Sequence, residues 1–143
     1  MNPLPLLFKA KTESQSGTQQ LWQARSLDLN LPCAIPPEFK GPGGGLSPED
    51  FFVQAMTNCF LATFKVIAEN SKLQYGHIHF DSDLFVDKND QQKTVMKKCH
   101  FKITLTNVEQ KEKASLLIKK AFETGFILNS VKTELSYEIQ FAE

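Results

Sequence analysis

The sequence predicts an α+β fold in a single domain spanning residues 1–143. Three observations carry that expectation. An uncharged, apolar run over 51–64 sits inside a helical pattern. Two later stretches alternate apolar and polar residues with period two. A shorter amphipathic helix then precedes a last alternating stretch, so strands, long helix, hairpin, helix and strand follow one another along the chain.

Each element has its own signal. Residues 5–12 and 20–32 read as strands separated by the polar turn "ESQSGTQ". In the second, Leu21, Arg25, Leu27, Leu29 and Leu31 share a face. "PCAIPPEFKGPGGG" holds too many prolines and glycines for a regular helix or central strand, and reads as a loop carrying Cys33 and Lys40. Ser47 can cap the long helix, Pro48 suits its first position, and Glu49 and Asp50 place negative charge in its first turn. That helix is expected to run from 48 to about 71. Between 51 and 64 it is apolar on nearly every side, which predicts a helix surrounded by protein.

"YGHIHFDSDLFVD" and "TVMKKCHFKITLTNV" read as paired strands joined by "KNDQQK". The second places Cys99, Phe101, Ile103 and Leu105 on one face. Residues 109–124 repeat apolar side chains at Ala114, Leu117, Ile118, Ala121 and Phe122, and Gly125 stands where such a helix ends. "KTELSYEIQF" closes the chain as a strand. A helix apolar all round needs more cover than one chain of this length supplies, which predicts a homodimer.

Composition excludes several functions. Sixteen basic and sixteen acidic residues cancel, so no global field draws the chain to nucleic acid or an anionic membrane. The uncharged run of the helix is shorter than the roughly 20 residues needed to span a bilayer. The N-terminal segment lacks a signal-peptide core. Three cysteines at irregular spacing do not form a disulfide framework. A soluble, cytoplasmic protein is expected.

Four groups could carry chemistry. The glycines at 41, 43, 44 and 45 could cradle a phosphate, but neither nucleotide-binding pattern is complete around them. His77 and His79 share a strand face, yet Cys99 and His100 point to opposite faces and cannot both complete a zinc site. Surface histidines alternating with Ile78 and Phe80 are the simpler reading, and no cofactor or metal is expected. Cys99 alternates with Phe101 and Ile103 as a core residue. Cys59 lies mid-helix, too far from the helix N-terminus for the dipole to act strongly, so activation requires a cation from elsewhere.

The run "PPEFKGPGGGLSPEDFFVQAMTNCF" resembles the OsmC/Ohr family of thiol-dependent hydroperoxide reductases, and "AFETGFILNSVKTELSYEIQF" resembles that family's second helix, turn and last strand. Element order agrees along nearly the whole chain. The resemblance implies intertwined homodimers with two sites at the interface, a peroxide-attacking thiol at Cys59 and an arginine-orienting carboxylate at Glu49. It also implies a second, resolving cysteine where this chain has Gly125, and a serine where it has Leu128. The family's arginine is missing from both of its usual places, one of which holds Glu38. The chain's only arginine is Arg25.

Arg25 and Lys40 are therefore the local cations available to Cys59. Arg25 either points inward against a carboxylate such as Glu49 or, the simpler reading, reaches solvent from its strand end, and Lys40 either closes over the site or is solvated. Phe51, Phe52, Phe60 and Phe64 are expected to line an apolar pocket. Two functions remain open. One is a one-cysteine peroxidase for small organic hydroperoxides, reduced by an external thiol or with Cys33 as a substitute resolver. The other is a non-catalytic dimeric protein that binds a small apolar ligand.

Overall fold

The computed structural model describes residues 3–143. The chain forms two compact units, Met1–Phe51 and Phe52–Glu143.

The N-terminal unit holds a three-stranded antiparallel sheet in the order β1 (Lys11–Glu13), β2 (Trp22–Ser26) and β3 (Leu29–Cys33). The stretch 20–32, expected as one strand, is a hairpin instead. Leu27 adopts φ 55° and, with Asp28, turns the chain so that Ser26 pairs with Leu29. A left-handed leucine is uncommon, and nothing in the local sequence announces it. The strand expected over 5–12 survives only as β1.

After β3 the chain makes a 3-10 turn, Pro37–Phe39, ended by Lys40 at φ 64°. Leu46 then returns beside Cys33: the Leu46 amide donates to the Pro32 carbonyl at 2.9 Å, and the Ala34 amide donates to the Leu46 carbonyl at 3.0 Å. Gly45 makes this closeness possible, since a Cβ there would lie 2.9 Å from the Pro32 oxygen. The helix α1 (Pro48–Asn70) begins with a reciprocal cap. The Asp50 amide donates to Ser47 Oγ at 3.1 Å, and the Ser47 amide donates to Asp50 Oδ2 at 2.9 Å.

The C-terminal unit contains the core. Its sheet has the order β4 (His77–Lys88), β5 (Thr94–Thr106) and β6 (Glu134–Ala142). β4 and β5 form the expected antiparallel hairpin; β5 and β6 run parallel. A parallel neighbour requires a long crossover, and α2 (Lys111–Thr124) supplies it. Cys99, Phe101, Ile103 and Leu105 are buried on one face of β5, as their alternation predicts.

Phe60 of α1 sits at the centre of that core, with ring centroids 5.2 Å from Phe80, 5.3 Å from Phe101, 5.6 Å from Phe122 and 5.8 Å from Tyr137. Both helices thus pack on the same face of the sheet. Within α1 only Met56, Phe60, Phe64 and Ala68 are buried, a single stripe at four-residue spacing. The expected cover on every side is not present in one chain. The most apolar window of α1 has a mean hydropathy of 1.4, enough by length and composition to cross a membrane, yet only 22% of it is buried.

Candidate functional site

Cys59 lies on α1 one residue before the buried Phe60, so it sits beside the core stripe and keeps part of its surface. The Thr63 hydroxyl donates to the Cys59 carbonyl at 2.7 Å, an ordinary bond within the helix. The thiol faces the end of α2. A Cβ built on Gly125 would lie 3.1 Å from Cys59 Sγ and 3.1 Å from Leu128 Cδ1. Gly125 is extended, at φ −62° and ψ 129°, a conformation open to any residue. A side chain at this position would crowd the thiol and Leu128, so its absence is what lets the end of α2 come this close to Cys59.

The other two cysteines are closed off. Cys99 is fully buried in β5, and burial, with a smaller contribution from the Asp83 carboxylate, pushes its thiol from 9.0 up to about 11. Cys33 was expected in a loop, ordered or mobile. It is instead the last residue of β3, only 1% exposed, and its thiol donates to the Leu31 carbonyl at 3.4 Å. The strand pairing with Trp22 and the bridge to Leu46 hold it there, which removes the mobility that a substitute resolver needs.

The remaining expected residues occupy varied positions. Phe60 and Phe64 have no exposed surface and belong to the core, so neither forms a pocket wall. Phe52 is half-buried and lines a surface groove; Phe51 is half-buried in the first turns of α1. Glu49 precedes Cys59 by ten residues on α1, about 15 Å of helical rise. Arg25 is exposed on β2, opposite Asn30 and Lys11 in register, rather than pointing inward. Among the described residues neither Arg25 nor Glu49 forms an ion pair. Lys40 is exposed, and its carbonyl accepts from the Gln19 side-chain amide at 3.1 Å.

The histidines follow the simpler reading. His77 and His79 are exposed. His100 stands on the outward face of the sheet, with Nδ1 2.7 Å from Ser136 Oγ and Nε2 3.0 Å from Glu138 Oε1. No group of three or more metal-ligating side chains converges among the described residues.

Comparison with known proteins places this geometry. The sequence profile described as OsmC-like protein matches residues 41–140. The chain belongs to the OsmC-like family. No curated protein sequence matches it. An OsmC-like protein of unknown function from Vibrio cholerae is similar in structure, with a TM-score of 0.86 at 19% identity over 95% of this chain and 100% of that one. An organic hydroperoxide resistance protein OsmC from Legionella pneumophila has a TM-score of 0.73 at 20% identity, covering 97% and 100% of the two chains. The organic hydroperoxide resistance protein OhrB of Bacillus subtilis has a TM-score of 0.69 at 15% identity, covering 95% and 99%. These similarities confirm the α+β OsmC fold that the sequence predicts. Sequence reasoning missed the groove beside Phe52, which is assembled from segments remote in the chain.

Proposed function

We propose that this OsmC-family chain is a homodimeric thiol peroxidase for organic hydroperoxides that uses Cys59 as its only reacting thiol. The observation that carries the reading is the contrast among the three cysteines. Cys33 and Cys99 are buried, whereas Cys59 keeps surface and its thiol lies against Gly125. Family membership and the hydroperoxide resistance named for the Legionella and Bacillus structures support the substrate class. The uncovered apolar side of α1, including Val66 at 60% exposure, supports a second copy as its cover.

The chemistry follows from the residue set. The Cys59 thiolate attacks the outer peroxide oxygen. An S–O bond forms as the O–O bond breaks, and the alkoxide leaves as an alcohol after taking a proton. The sulfenic acid has no thiol at position 125 to close on. An external thiol displaces water from it to form a mixed disulfide, and a second external thiol releases Cys59 as the reductant becomes a disulfide.

Stoichiometric titration with cumene hydroperoxide, read by intact mass, tests this. Wild type gains one oxygen atom, Cys59→Ser gains none, and Cys33→Ser behaves as wild type. An unchanged wild-type mass in excess peroxide would leave the second reading, a non-catalytic dimer that holds an apolar ligand. The absent thiol at 125 is the observation that favours that alternative.

A further inference from the structure

The C-terminal unit carries a groove of about 620 Å³ outside the contacts of Cys59, within the size range of small-molecule sites. Phe52, Val95, Met96 and Val131 supply its apolar wall, and Lys97 and Lys132 lie along it. Glu134 also borders the groove, but alternation in β6 places it on the outward face, opposite Lys98 in register. The charge offered to an occupant is therefore positive.

Lys97 is the unusual member. The pairing of β4 with β5 jumps from Phe85 opposite Lys98 to Val86 opposite Met96, leaving Lys97 as the extra residue of a bulge. Bulges re-aim a side chain next to functional sites. Lys97 is half-buried while its neighbour Lys98 is exposed, with its ammonium over the Phe85 ring at 4.8 Å. Among the described residues Lys97 has neither an ion-pair nor a hydrogen-bond partner. A half-buried cation beside an apolar wall fits an anionic amphiphile better than a neutral one.

The groove also has a fixed relation to the thiol. Phe52 and Cys59 are seven residues apart on α1, which places them on the same helical face, about 10.5 Å apart along the axis. We propose that Lys97 and Lys132 bind the ionised head of a long-chain carboxylate, laying its chain along Phe52 so that a mid-chain hydroperoxide reaches Cys59. The inference rests on the peroxidase reading for its last step, but not for the binding of the amphiphile. The two lysines are then specificity-determining residues that favour free acids over their neutral esters.

Two measurements separate the parts. Oleate is titrated into Cys59→Ser, with and without Lys97→Gln and Lys132→Gln, by calorimetry below its micelle concentration. Oleate binds the parent and loses about five- to tenfold in affinity in the double-lysine variant, less so at high salt. Separately, Cys59 oxidation is timed with the mid-chain hydroperoxide of linoleic acid and with its methyl ester. Wild type prefers the acid by a similar factor, Lys97→Arg keeps the preference, and the double-lysine variant brings the ratio near one. Absent oleate binding, equal binding by both proteins, or an acid-to-ester ratio unchanged by the substitutions overturns the proposal. If no hydroperoxide oxidises Cys59 while oleate binding depends on the lysines, the peroxidase reading falls and the anion site stands.

Discussion

The two units of the chain treat their apolar residues in opposite ways. In Phe52–Glu143 the large hydrophobic side chains of α1, β5 and α2 converge on one cluster around Phe60, Phe64, Phe101 and Ile118. Among the described residues of Met1–Phe51 the buried apolar ones are small, Cys33 and Ala34, while Leu7, Phe8 and Leu27 are exposed at 78%, 90% and 92%. The C-terminal unit builds a core of large side chains, although Val66, Leu116 and Phe126 stay exposed on it. The N-terminal unit presents apolar surface of the kind that marks an interaction site. The proposed second copy is the cover for this surface and for the bare side of α1.

The largest effect expected from this comparison is at Phe60. Phe60→Ala removes the ring at the centre of five packed aromatics and costs about 3–5 kcal/mol, read as a fall in the urea midpoint. Leu27→Ser, in the other unit, changes the stability of the single chain by no more than about 0.5 kcal/mol. Its effect appears instead in sedimentation, as a higher concentration for self-association. A large loss of chain stability with unchanged association would break the comparison.

The next effect separates a buried thiol from an accessible one. Folding raises the Cys99 thiol to about 11, so the unfolded chain ionises first as pH rises. The stability tied to its neutral form is complete below about 9 and is lost between there and about 11, a loss of about 3 kcal/mol. Cys99→Val removes this part of the alkaline slope in urea unfolding at a series of pH values. Cys59→Ser leaves the Cys99 contribution in place.

Elements with a strong period are legible in the sequence alone. The cap at Ser47, the α1 pattern, the β4–β5 hairpin, α2 and β6 are all read from local spacing, and their placement agrees to within a few residues. The hairpin turn at Leu27 was not legible, because the residue that takes the left-handed conformation is neither glycine nor asparagine. Helical apolarity could not separate Phe60 and Phe64, which are core, from Phe52, which borders a groove. That distinction depends on which side of α1 the sheet covers. The bulge at Lys97 is likewise a property of strand pairing, and the approach of Gly125 to Cys59 a property of helix packing. The position of Cys33 was obscured by its prolines, which suggested a loop where the return of Leu46 makes a strand end.

A smaller effect sharpens the account of the thiol. Gly125→Ala places a methyl group 3.1 Å from Cys59 Sγ and from Leu128 Cδ1, crowding that costs about 1–2 kcal/mol and slows reaction with bulky hydroperoxides. Gly125→Cys introduces the same Cβ with a sulfur that can bond to Cys59, since the approach lies within disulfide reach. Peroxide then removes two hydrogens from this variant, where wild type gains an oxygen. If the variant still gains oxygen and forms no disulfide, the proposed site geometry is wrong.

The smallest effect belongs to the start of α1. Ser47→Ala removes the oxygen that accepts from the Asp50 amide at 3.1 Å, together with the hydroxyl that donates to Asp50 Oδ2 at 2.9 Å. The Ser47 amide keeps its own bond to that carboxylate, so half of the reciprocal cap survives. The cost is about 1 kcal/mol, well below that of Phe60→Ala, because the helix is held by the packing of its buried stripe more than by its cap. Ser47→Asp keeps a side-chain acceptor but sets two carboxylates beside each other, so it recovers less than Ser47→Thr does. Urea unfolding of the three variants reads this order, with Thr nearest wild type. A Ser47→Ala loss as large as that of Phe60→Ala would show that α1 depends on its cap rather than on the core.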